Sequence, residues 1–163
     1  MRCLSNLAFG GFALSLFAHL LTFWEIDIIE RFPAIWLLHL GAFIFYIPII
    51  ILDRKFRQSQ NMPDILSIPM PNWLRLAIYG FFYYAIINFI LFFFLSSGGA
   101  PDEHNGKYFL KNHGQVIREL TLQEYRQQKA YIIRGFSGHS MLFYLIPAAY
   151  FRYYKSESSS NNV

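Results

Sequence analysis

Three histidines stand inside long apolar stretches of this chain: His19, His39 and His139. Imidazole ligates haem iron, zinc and copper, and an ionisable group in an apolar segment is costly unless it finds a partner. His19 lies five residues before Trp24, His39 seven after Phe32 and His139 eight after Tyr131. At helical rise these offsets put each ring about 7–12 Å from the end of its own segment. If the three faces converge, they form a cofactor-binding cluster for haem or a transition metal. The alternative is that each ring hydrogen-bonds between helices and serves as polar glue. A second constellation is Arg134-Gly135-Phe136-Ser137-Gly138-His139-Ser140, where small residues recur among hydrogen-bonding groups. Small residues let a neighbouring helix approach closely. Arg134 and Ser137, joined by His113 from the preceding loop, make a candidate ligand pocket, while Glu25, Asp27, His113 and Arg134 would cap the histidine cluster if its faces converge. There is no Walker loop, G-x-G-x-x-G, H-E-x-x-H, C-x-x-C or G-x-S-x-G, so no catalytic residue is assigned and an enzyme is disfavoured.

The elements that must position these residues follow from composition. Of 163 residues, 55% are hydrophobic, 20% aromatic and only 15% charged, against roughly 25% charged in an average soluble chain. That balance excludes disorder, and the single cysteine, Cys3, excludes a disulfide scaffold. A membrane-crossing helix needs about 20 mainly apolar residues. Four stretches meet that length, about 4–24, 32–52, 76–95 and 131–151, the last by including Arg134, whose long side chain can snorkel. The fold class predicted is therefore an all-α integral membrane protein. Four transmembrane helices form a bundle, with a small β-hairpin plus helix inserted between the third and fourth. The first stretch has no small-x-small cleavage site before Trp24 and reads as a retained helix rather than a signal peptide. Pro33 suits a first helical turn, while Pro48 and Pro147 mark kinks.

Lysines and arginines near the helix ends predict orientation. The side holding both termini carries Arg2, Arg54, Lys55, Arg57, Arg75, Arg152 and Lys155. The other side carries Arg31, Lys107, Lys111, Arg118, Arg126, Lys129 and Arg134. The numbers tie. Proximity to the helix ends favours the first set as cytoplasmic, because Lys107, Lys111 and Arg118 lie deep in a long loop. In the second loop, the prolines of the segment Asn61–Trp73 forbid a continuous helix, and Trp73 suits an interface.

The loop 96–130 holds the most local structure. Ser96-Ser97-Gly98-Gly99-Ala100-Pro101 stops a helix. A hairpin is predicted over 107–118 about Lys111-Asn112-His113-Gly114. Thr121-Leu122-Gln123-Glu124 is a capping box opening a helix from about 122, with Leu122, Tyr125, Lys129 and Ile132 on one face. The tail 156–163 is polar and predicted to be disordered.

The function expected on this basis is a structural or interaction role as a small accessory membrane protein. The expected partners are the lipid bilayer and a membrane-protein partner or a second copy; nucleic acid is not among them. A haem- or metal-binding membrane protein, acting in electron transfer through its histidines, is the alternative from a different class. The segments 108–114 and 134–139 are similar to a block found in small bacterial membrane proteins. The topology is similar to that of immunity proteins against pore-forming colicins, which implies an immunity-type role; a transporter-accessory role is the remaining option. The localisation implied is the bacterial inner membrane with both termini cytoplasmic.

Overall fold

In the computed structural model, residues 1–24, 26, 28–57, 69–96 and 98–153 are described, the side chains of 52–57 excepted. Helix α1 spans Arg2–Leu21 and runs into a 3-10 turn at Thr22–Trp24. The short α2 (Ile28–Arg31) leads to α3 (Ile35–Arg57), and α4 spans Asn72–Leu95. Three strands follow, β1 (Ala100–His104), β2 (Lys107–Asn112) and β3 (Gln115–Leu120), and the 32-residue α5 (Leu122–Tyr153) closes the described chain.

Helix α5 is the centre of the molecule. It packs on α1, α3 and α4 and touches all three strands, and its most extensive contact is with α1. The reason lies in α1's sequence. Ser5, Ala8, Gly11, Ser15 and Ala18 recur every three or four residues, all on the buried face. A seam of small side chains lets two backbones approach closely. At Gly11 an added Cβ would collide with the ring of Tyr144, and Ser5 Oγ donates to the Ala148 carbonyl at 2.8 Å. A larger apolar cluster joins Ile78 and Ala85 of α4 to Leu142, Leu145, Ala149 and Phe151 of α5.

The sheet is antiparallel, in the order β1-β2-β3. Both turns have two central residues with positive φ: Asn105 (53°) with Gly106 (73°), and His113 (48°) with Gly114 (82°). Two-residue hairpins of this kind match the right-handed strand twist, and Asn-Gly is their strongest signal. Pro101 sits on the edge strand β1, where its missing N–H is tolerated. Leu110, Leu120 and Tyr125 bury together with Tyr108 against them, fixing the sheet to the first turn of α5. That turn is held by a capping box: Thr121 N donates to Glu124 Oε2 at 2.8 Å and Glu124 N donates to Thr121 Oγ1 at 3.2 Å.

This architecture corrects the predicted four-helix transmembrane bundle. Among the described residues there are five α-helices and a three-stranded sheet, and two helical segments, not four, are long and apolar enough to cross a membrane: Arg2–Trp24 and Asn72–Leu95. The apolar part of α3 is shorter, Ile35–Ile51. The stretch 131–151 is no separate span. It is the latter part of α5, which begins at Leu122 and carries Glu124, Arg126, Lys129 and Arg134 before its apolar half. Composition alone does not distinguish a helix that crosses a bilayer from one buried by other helices, and α5 is buried by its neighbours. Placement in the bacterial inner membrane with both termini cytoplasmic rested on four crossings and falls with them. The basic residues Arg54, Lys55, Arg57 and Lys155, the acids Glu25 and Asp27, the loop residues 61–68 and the tail 156–163 lie outside the described side chains.

Candidate functional site

The three histidines are brought to one helix but to different sides of it. His19 reaches from α1 to Ser137, with Nδ1 2.8 Å from Ser137 Oγ, and its Nε2 meets the Tyr84 hydroxyl from α4. Ser137 Oγ donates 2.7 Å to the Ile133 carbonyl. One assignment then uses every donor: His19 Nδ1–H donates to Ser137, and Tyr84 O–H donates to His19 Nε2. His39 lies 3.2 Å from Ser140 Oγ, which donates to the Phe136 carbonyl at 3.0 Å. His139, on α5 itself, donates from Nδ1 to the Gly135 carbonyl at 2.8 Å and stands edge-on to Phe89. The rings are thus spread between α5 and three different helices. Among the described residues no group of three or more His, Cys, Asp or Glu is placed to hold a metal ion. That finding corrects the expectation of a metal-binding or haem-binding electron-transfer protein.

Arg134 and Ser137 share the polar patch around His19. Arg134 donates from Nε to Thr22 Oγ1 and from NH2 to the Thr22 carbonyl, both at 3.1 Å, and its guanidinium lies 4.2 Å over the Phe23 ring. Asn88 of α4 donates to the Arg134 carbonyl at 2.9 Å. His113 is elsewhere, exposed at the β2–β3 turn. A cavity that Ser137 lines holds about 20 Å³, room for about one water. Ser137 itself is 6% exposed. Its hydroxyl is committed to Ile133, so the Ser137–His19 pair presents no nucleophile to a substrate.

Space for a ligand lies at the other end of the α5 charge stripe. A cleft of about 980 Å³ opens between the α1–α3 connection, the sheet and the start of α5. Its apolar walls are Trp24, Ile26, Ile29, Tyr108, Leu122 and Tyr125, and the charged side chains Arg31, Arg126, Lys129, Glu30 and Glu103 also line it. Tyr108 and Tyr125 lie ring to ring at 4.6 Å, and Lys129 Nζ sits 4.7 Å over Tyr125. Pockets of 300–1,000 Å³ with apolar walls and a few placed polar groups are the ordinary form of a small-molecule site. The capping box sets the angle at which α5 presents these residues. Hydrogen bonds from the Thr121 backbone and Arg118, whose NH1 lies 2.7 Å from Oε1, hold the Glu124 carboxyl down at about 2. Across the sheet, the Lys111 ammonium holds Asp102 below the usual carboxylate range.

The Leu122, Tyr125 and Lys129 stripe was visible in the sequence as one helix face. Trp24, Arg31 and Glu103 were not, because only the fold brings them opposite that stripe. Asn88, Tyr84 and Thr22 are not among the sequence-predicted site residues, although an asparagine inside a run as apolar as α4 is a signal in its own right. Compared with protein-family models, with curated proteins and with solved structures, the chain matches none. The expected accessory, immunity-type or transporter-accessory membrane role therefore has no support from any family, and with two candidate spans in place of four it is withdrawn.

Proposed function

We propose that the chain is a ligand-binding protein whose site is the cleft between the α1–α3 connection, the sheet and the first turns of α5. Its ligand joins a flat apolar part to an anionic group. The observation that supports this is the lining: three aromatic rings, three cationic side chains and two carboxylates share one cleft. Aromatic rings supply contact area at little conformational cost, and Arg31 and Arg126 supply charge-assisted hydrogen bonds. Both walls are held by fixed elements, the sheet by its buried Leu110–Leu120–Tyr125 contact and α5 by its cap.

Calorimetric titration of the full chain tests this with phenyl phosphate as the probe and phenol as its uncharged counterpart. Phenyl phosphate binds saturably and phenol at least tenfold more weakly. Arg126→Gln lowers phenyl phosphate affinity about tenfold or more, the scale of one charged hydrogen bond, and leaves phenol unchanged. Equal binding of the two probes, or indifference to Arg126→Gln, would refute the reading.

A further inference from the structure

A second groove lies at the opposite end of the bundle, between the N-terminal turns of α1 and α4 and the last turns of α5. It encloses about 380 Å³ and is almost wholly apolar, floored by Phe12, Phe81 and Leu145 and walled by Phe9 and Ala77. Its polar groups gather at one end: Asn6 near the start of α1, Trp73 near the start of α4 and Arg152 near the end of α5. Arg152 is exposed at that mouth, whereas Leu145 is buried. From Trp73 to Phe81, or from Arg152 back to Leu145, the groove runs about 10–12 Å at helical rise. It is therefore a narrow apolar slot with one positive charge, Arg152, among the described residues at its open end.

From this we infer that the groove is a binding site for a single-chain anionic amphiphile, a fatty-acid-type carboxylate. The aliphatic chain lies along Phe12, Phe81 and Leu145, and the carboxylate meets Arg152. Charge selects the occupant: a cationic amphiphile of the same length would set its head against Arg152, and a neutral chain would gain nothing from it. An arginine fork matches a carboxylate in a paired geometry that an ammonium does not reproduce. The small side chains Ala77, Ala148 and Ala149 leave the slot open. Filling any of them with a ring would close it. The site is separate from the cleft under the sheet, and each stands or falls without the other.

The test uses the full chain in digitonin, whose rigid ring system offers no linear chain to compete. 2-Bromoundecanoate, whose bromine stands beside the carboxylate and so at the Trp73 end of the groove, is titrated while tryptophan fluorescence is followed, since bromine quenches a ring that it touches. Quenching saturates, and Trp73→Phe removes most of it. The cationic probe 2-bromoundecyltrimethylammonium needs at least tenfold higher concentration. Arg152→Gln brings the two probes together, Arg152→Lys keeps part of the preference, and Ala77→Phe abolishes saturable quenching. Equal quenching by both probes in the unaltered chain, or quenching that Arg152→Gln and Trp73→Phe leave unchanged, overturns the proposal. Should Ala77→Phe fail to fold by circular dichroism, the Arg152 pair decides it, because that residue is exposed.

Discussion

His19 is held on both sides of its ring, by Ser137 from α5 and by Tyr84 from α4, and is 3% exposed. Removing one partner leaves a buried ring nitrogen unsatisfied, a change that costs about 1–3 kcal/mol. Tyr84→Phe is expected to lower stability by that amount in chemical denaturation, while Tyr83→Phe, one position along and 63% exposed, changes little. Ser15 presents the reverse case. Its side chain is fully buried on α1, and its hydroxyl has no hydrogen-bond partner among the described residues. Ser15→Ala is expected to raise stability by about 1 kcal/mol, since it removes an unpaired polar group and places a better helix former. Histidine types and positions were legible in the sequence, but their partners were not. Facing depends on which residues of α5 point where, and that is set by packing across segments separated by more than a hundred residues.

At the scale of elements, the signals that could be read were local. The Thr121–Glu124 cap and the turn at Asn112–Gly114 are each contained in a few residues, and both are present in the fold. Asn105-Gly106 is an equally local hairpin signal, and it lies outside the hairpin predicted over 107–118. Pro101 and the glycines before it read as a helix stop, whereas an edge strand also accommodates a proline. The cap carries a pH prediction. Glu124 has its carboxyl at about 2 in the fold against the usual 4.5. A depressed acid contributes stability in full above its unfolded value and loses it as pH falls through the folded one. The docking of the sheet on α5 therefore weakens between about pH 4.5 and pH 2, observable as a loss of tyrosine near-ultraviolet dichroism. Glu124→Gln abolishes most of that pH dependence. Two adjacent glycines of α1 give a sharper test of the helix seam. Gly10 has open space where a Cβ would go, whereas Gly11 faces the Tyr144 ring. Gly10→Ala is expected to stabilise by about 0.5–1 kcal/mol, and Gly11→Ala to destabilise by about 1–3 kcal/mol.

For the whole molecule, the composition was read as four crossings, yet much of the apolar content serves to bury α5. What remains outside is still large. Only Leu74, Ile78, Ala85 and Asn88 of α4 are buried, and Phe94 and Leu76 are 77% and 72% exposed. Contiguous apolar surface of this kind is covered by another molecule in nearly every stable protein. The full chain is accordingly expected to associate in plain buffer and to disperse in a non-ionic detergent, as sedimentation velocity would report; a monodisperse chain in buffer alone would contradict that. At the sheet end the surface changes character. Charge and aromatic rings meet in the cleft on which the proposed function depends, and the α5 cap, the sheet and the α1–α3 connection must all be in place for it to form. The measurement that reaches this claim most directly is a phenyl phosphate titration of isotope-labelled chain followed by nuclear magnetic resonance. Saturable shifts concentrated on the Trp24 indole, the Tyr108 and Tyr125 rings and the Arg126 guanidinium are the predicted result. Shifts scattered over the outer faces of α1 and α4, or none that saturate, would contradict it.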